Sequence, residues 1–286
     1  MNAQPSIANV DFISRNFDQL ATHLDRKYET AWCYMQPTAR PCFSTQLLKD
    51  LIGWCRFMEQ NADQLGLRYH VIASNISGVY NFGGDLELFG RHVAQGDREG
   101  LRQYGIACID PLFANIRHFS QDVTTLSLVQ GDALGGGFET ALSSDILIAE
   151  RQVRMGFPEV LFNLFPGMGA YSLLARRLDA KRAEQIILSG KIYTAEELHA
   201  MGLVDILVDD GEGEAAVYDY IKRENRARNG FRGLRKVRDY MNPITYQELL
   251  DIVDIWVDTA MQLDRRDLRM MERLVTRQHQ QVGAAA

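Results

Sequence analysis

Gly131-Asp-Ala-Leu-Gly135-Gly-Gly-Phe-Glu139 follows the apolar run Val123–Val129 and leads into Phe138–Ser143, which reads as the first turns of a helix. A strand, a glycine turn and a helix start in that order leave backbone NH groups facing a ligand, with the helix dipole behind them. Such NH groups suit an enolate oxygen. A phosphate loop is the rival reading, but no Gly-Lys-Ser or Gly-Lys-Thr follows, and no ribose-binding acid in a clear βαβ context supports a dinucleotide site.

The same order occurs upstream. Tyr69–Ala73 is strand-like, the polar loop Ser74–Gly84 follows, and helical periodicity then runs to about Ile116. That loop holds Asn81-Phe-Gly-Gly-Asp85, either a second source of free NH groups or a tight turn with Asp85 capping the next helix. Downstream, Ile146–Ala149 and Val153–Gly156 read as short strands and bring in Phe157-Pro-Glu159, whose carboxylate lies 20 residues after Glu139. Two carboxylates reaching one apolar pocket from neighbouring strand ends raise at least one pKa toward neutrality, as acid/base chemistry requires, whereas a solvated Glu159 at a helix start would do nothing. Ser44–Gln60 reads as an amphipathic helix with Ser44 as its N-cap. Alternating strands and helices make the expected class α/β.

The 286 residues, 46% of them hydrophobic, suffice for a large core, and the formal charge of −6 argues against general affinity for nucleic acid or anionic membranes. Cys33, Cys42, Cys55 and Cys108 show no Cys-x-x-Cys pair, so reduced buried thiols and a cytoplasmic location are expected. Neither a signal peptide nor an apolar run of about 20 residues is visible, so no membrane insertion is expected. The six histidines form no close ligand pair, and neither metal nor cofactor is expected. The chain divides into a polar segment (1–28), a core (29–210), a helical C-terminal region (211–281) and a disordered tail (282–286).

In order and spacing, the Gly-Gly-Asp loop, the Gly-Gly-Gly-Phe-Glu turn and the Pro-Glu element resemble the crotonase, or enoyl-CoA hydratase/isomerase, superfamily. The likeness continues through Pro166-Gly-Met-Gly169, Leu188-Ser-Gly190, Thr194-Ala-Glu-Glu197 and Gly202-Leu-Val-Asp205. It implies a spiral of ββα units with a helical C-terminal region, and subunits assembled as trimers or pairs of trimers. Carried over by motif, Glu139 and Glu159 match the catalytic glutamates and Phe82 and Gly136 the oxyanion-hole NH donors, with Gly83 and Gly135 beside the substrate. Trp256 and Leu274, on the region that covers the acyl site in this superfamily, are either acyl-pocket residues or plain core.

Further segments, among them Cys42-Phe-Ser-Thr45, Phe82-Gly-Gly-Asp-Leu86, Pro158-Glu-Val-Leu-Phe162, Phe165-Pro-Gly-Met-Gly-Ala-Tyr-Ser172 and Ile255-Trp-Val-Asp-Thr-Ala-Met-Gln-Leu263, resemble the diffusible signal factor (DSF) synthases. Met168-Gly-Ala-Tyr171 stands where common hydratases often have Ala-Gly-Gly-Thr. The resemblance implies dehydration of a 3-hydroxyacyl chain on acyl carrier protein, then thioester hydrolysis to a cis-2-unsaturated fatty acid quorum-sensing signal. The alternatives are a hydratase or isomerase of CoA thioesters, or a non-catalytic binding protein of the same fold. Residues 222–238 carry eight basic side chains against Glu224, a local charge of +7. That stretch either steers the acidic carrier protein, binds CoA phosphates, or is a solvated helix face.

Overall fold

A computed structural model describes residues 17–273. The larger of two sheets contains β1 (Leu20–Asp25), β2 (Thr30–Met35), β3 (Tyr69–Ser74), β5 (Thr124–Val129), β7 (Ile146–Glu150) and β10 (Ile206–Val208), side by side in that order. All pairs are parallel except β1 with β2. The smaller sheet is β4 (Val79–Asn81), β6 (Asp132–Leu134), β8 (Arg154–Gly156) and β9 (Ile192–Thr194). Each of β3, β5 and β7 is followed by a short strand of the second sheet and then by helix, so successive ββα units wind as a spiral. Helix α1 (Thr45–Asn61) lies between β2 and β3, α2 (Leu86–Gln95) and α3 (Arg98–Ile116) follow β4, and α4 (Gly136–Leu142) follows β6. Helices α5 (Ala170–Arg177) and α6 (Ala180–Ser189) follow β8, and α7 (Ala195–Ala200) follows β9. Ser44 caps α1 as expected, its Oγ accepting from the Leu47 NH at 3.2 Å.

The central strands read as continuous apolar runs because both faces of the large sheet are covered. Ala31, Cys33, Ile72 and Val129 face the main core, while Trp32, Val71, Leu126 and Ile148 face α8 (Gly213–Arg226) through Val217, Tyr220 and Ile221. The expected boundary at residue 28 needs correction: β1 pairs along its whole length with β2, from Leu20 opposite Met35 to Asp25 opposite Thr30. Its sequence, Leu-Ala-Thr-His-Leu-Asp, is that of a half-exposed edge strand and lacks the apolar run that marks the inner ones. The expected tail at 282–286 lies outside the described residues.

Part of the basic stretch is tied into the fold, while Lys222, Arg223, Arg226 and Lys236 stay exposed. In helix α9 (Arg228–Met241) the arginines find acidic partners: Arg228 and Arg232 pair with Asp122, Arg235 with Asp122 and the fully buried Glu224, and Arg238 with the buried Asp145. Burial alone would raise the Asp145 carboxyl. The hydrogen bond from His118 and the charges of His118, Arg238 and Arg235 outweigh it and hold the group well below the usual range. The outer face of α9 is instead apolar, with Leu234, Val237, Tyr240 and Met241 between 56% and 85% exposed. Asp145→Ala is expected to cost about 1–3 kcal/mol in denaturant unfolding, because the Thr125 NH and the His118 ring lose a buried partner while half-exposed Arg238 is still reached by water; no measurable change would mean that the network is not what holds α9.

Among the described residues, no helix is long and apolar enough to cross a membrane.

Candidate active site

The ends of β4, β6 and β8 bring three loops together. β6 closes with the Gly135 NH donating to the Gly156 carbonyl at 2.9 Å, and Gly135 then takes φ +53°, ψ −124° to start α4. That conformation requires glycine, and a β-carbon there would also displace the Glu159 carboxyl from its place against the loop. The Gly136 NH has no acceptor among the described residues, as expected for the first turn of a helix.

In the β4 loop the expected donor is displaced by one turn of hydrogen bonding. The Phe82 NH is spent on the Pro41 carbonyl at 2.7 Å, so the expectation that Phe82 supplies an oxyanion donor is corrected. The Gly83 NH donates to Asn81 Oδ1 at 2.7 Å, and the Asp85 NH to the Tyr104 hydroxyl at 2.7 Å. Gly84 keeps an NH without an acceptor among the described residues, and Gly84 lines the cavity described below. Asp85 accepts from the Glu87 and Leu88 NH groups and pairs with Arg40 at 2.9 Å, so the capping reading of this aspartate is also correct. Gly83, at φ +84°, presses directly on the other loop: its β-carbon would lie 2.7 Å from the Gly136 nitrogen and 2.8 Å from the Leu134 oxygen.

Glu139, on the first turn of α4, is 1% exposed, and its Oε1 accepts from the Met168 NH at 2.9 Å and the Ala170 NH at 2.8 Å. Burial, then the neighbouring Glu159 charge, push its carboxyl up to about 8 against the pull of those two NH groups. Glu159 opens a short 3-10 turn, Glu159–Phe162, and burial pushes it up to about 7. Its Oε2 is buried with no hydrogen-bond partner. A buried acid without a partner is costly when ionised, and this one borders open space.

That space is a cavity of about 60 Å³ lined by Gly84, Gly136, Glu139 and Glu159 on one side and by Phe89, Met168 and Trp256 on the other. Trp256 belongs to α10 (Tyr246–Ala260), which approaches α3 closely enough for Val253 to touch Gly105. Its ring packs on Gly167 and, with 5.4 Å between centroids, on Phe89. Gly83 and Gly135 stand behind the cavity wall and hold its loops, and Leu274 lies outside the described residues. Sequence reading missed Gly84, Met168 and Tyr104 as site residues. The only signal for Met168 was its unusual Met-Gly-Ala-Tyr context.

Two carboxyls raised in the folded state stabilise it fully at pH values below their unfolded range and lose that contribution as pH rises through about 7 and 8. Stability is therefore expected to fall between pH 6 and pH 9 by on the order of 2–4 kcal/mol, and Glu159→Gln to flatten the decline. Thermal unfolding of both proteins across that range checks this; parallel curves would mean that Glu159 ionises as freely folded as unfolded.

Residues 34–237 match the Enoyl-CoA hydratase/isomerase family. Among solved structures, Pseudomonas aeruginosa DspI is 25% identical with a TM-score of 0.67, over 79% of this chain and 89% of that one. An enoyl-CoA hydratase from Bacillus halodurans superimposes with a TM-score of 0.76 at 17% identity, over 90% of this chain and 100% of the other, a likeness of fold. Among curated proteins, the peroxisomal bifunctional enzyme of Cavia porcellus is 29% identical over 51% of this chain, and the fatty acid oxidation complex subunit alpha of Pseudomonas syringae pv. tomato 39% identical over 35%. The aligned parts are 19% and 14% of those relatives' own lengths. With the spiral of ββα units, the paired glycine loops and the family match over most of its length, this chain belongs to the enoyl-CoA hydratase/isomerase family.

Proposed function

We infer that this chain removes water from a 3-hydroxyacyl thioester on acyl carrier protein to give the cis-2-enoyl form, then hydrolyses the thioester to release a cis-2-unsaturated fatty acid of the DSF type. The observation that carries the reading is the meeting of two carboxyls raised toward neutrality with two unengaged loop NH groups, those of Gly84 and Gly136, at one apolar cavity. The thioester oxygen lies between those NH groups. One glutamate takes the C2 proton, the NH pair stabilises the enolate, and the other glutamate gives its proton to the departing 3-hydroxyl, which leaves as water. In the second step an ionised glutamate takes a proton from water as its oxygen attacks the thioester carbon. The same NH pair holds the tetrahedral oxyanion, and the thiol leaves with the proton returned.

The choice of a carrier-bound acyl chain and a free-acid product rests on the segments that resemble DSF synthases. The family match equally favours a second reading, hydration or isomerisation of CoA-bound enoyl chains. Incubation with 3-hydroxydodecanoyl acyl carrier protein and with the matching CoA thioester, followed by mass spectrometry and double-bond analysis, separates the two. Free cis-2-dodecenoic acid from the carrier substrate is the expected product; trans-2-enoyl-CoA alone would place the chain among the hydratases. The exposed apolar face of α9 supports assembly into a homo-oligomer, proposed here as a trimer or pair of trimers.

A further inference from the structure

The catalytic cavity has a neighbour. Beyond Met168 and Cys108, which line both, is a second cavity of about 30 Å³ walled chiefly by Leu51, Trp54, Ile72, Leu112 and Phe119. α3 runs along the pair: Tyr104 and Gly105 face the catalytic cavity, Cys108 faces both, and Leu112 and Asn115 face the inner one. Steps of three and four residues keep these positions on one helical face, and from Tyr104 to Asn115 that face is ~16 Å long. α4 runs alongside, with Gly136 and Glu139 on the catalytic cavity, then Thr140 and Ser143 on the inner one. The two cavities therefore lie end to end along α3 and α4, with Met168 and Cys108 between them.

The polar groups at the inner end are turned onto one another. The Trp54 indole NH donates to His70 Nε2 at 2.9 Å, which places the proton of the neutral ring on Nδ1. Asn115 Nδ2 donates to Ser143 Oγ at 2.9 Å and Ser144 Oγ at 3.0 Å. Two buried atoms are left over, His70 Nδ1 and Asn115 Oδ1, and neither has a hydrogen-bond partner among the described residues. Apart from those two atoms the wall offered to an occupant is almost wholly hydrocarbon, and cavities of this kind take apolar ligands in preference to water.

We propose that the inner cavity seats the methyl end of the acyl chain and that its floor sets the chain length accepted. Met168 is the neck. Its thioether lies over the first turn of α4, where a β-carbon on Gly136 would meet the sulfur at 2.6 Å. Three rotatable side-chain bonds let it swing aside while its NH stays on Glu139 Oε1. The proposal rests on the acyl-thioester reading above.

The test uses purified protein, 3-hydroxyacyl carrier thioesters from butanoyl to tetradecanoyl, and two opposite changes at one wall residue, Leu51→Phe and Leu51→Ala. In the wild type, kcat/KM is expected to rise about fourfold per added methylene until the two cavities are full, and then to fall. Leu51→Phe is expected to cost the dodecanoyl substrate about tenfold relative to the butanoyl one, and Leu51→Ala to move the optimum to longer chains. Identical chain-length profiles in the three proteins, with butanoyl turnover intact, overturn the proposal. Binding of free fatty acids over the same lengths, read by calorimetric titration, provides the second measurement. If the wild type turns over none of these thioesters, the enzymatic reading fails, and the dependence of Kd on chain length in the three proteins alone decides for or against the cavity. A Leu51→Phe protein inactive on every substrate has lost its fold, and the Leu51→Ala profile then decides: an optimum moved to longer chains supports the cavity, and an unmoved one overturns it.

Discussion

Glu139→Gln and Glu159→Gln are each expected to lower kcat on the 3-hydroxyacyl thioester by about 100- to 10,000-fold, the usual weight of a positioned acid or base. Glutamine keeps the shape of the side chain and removes only its proton chemistry. In Glu139→Gln the amide oxygen still accepts from the Met168 and Ala170 NH groups, so the loop over the cavity stays in place. In Glu159→Gln a neutral amide replaces a carboxyl whose Oε2 has no partner to lose. Both variants should unfold at or above the wild-type temperature at alkaline pH, because each removes a buried group that ionisation destabilises. Loss of activity together with stability would point to a structural part for the pair. Turnover within about tenfold of wild type in both variants would remove them from the chemistry altogether.

Gly83→Ala is expected to do comparable damage without touching an acid. The methyl group would occupy a backbone at φ +84° and meet the Gly136 nitrogen and the Leu134 oxygen inside normal contact, and neither is the end of a flexible side chain. The two loops must part, which separates the Gly84 and Gly136 NH groups proposed to hold the thioester oxygen. Loss of one such donor costs about 100- to 1,000-fold in kcat, with about 1–3 kcal/mol of stability lost to the strained backbone. Gly66→Ala provides the control. At φ +67° with nothing within 4 Å of the new β-carbon, it carries the conformational cost without the collision. If the two variants lose stability alike and both keep their turnover, the contact between the loops has no part in catalysis.

Much of this site could be read from the chain in advance because its signals are local. The runs at β3, β5 and β7 announce strands covered on both faces. Three consecutive glycines after a strand announce a turn that no side chain can enter, and Glu139 and Glu159 stand next to such turns. What local pattern could not supply is the partner each group finds. The Phe82 NH looks free in sequence and is taken by the Pro41 carbonyl, 41 residues earlier, whereas the Gly84 NH has no acceptor among the described residues. A charge of +7 over residues 222–238 reads as a basic surface, and only the fold shows that four of its arginines are paired with Asp122, Glu224 and Asp145. β1 has no apolar run because one of its edges meets no strand among the described residues, and only pairing with β2 makes it a strand. Sequence alone determined where the backbone must bend and which side chains could move a proton, since both follow from residue type and its nearest neighbours. Tertiary structure decided which NH groups remain free, which charges are neutralised and which apolar walls stand beyond Met168, because each depends on groups brought together from distant parts of the chain.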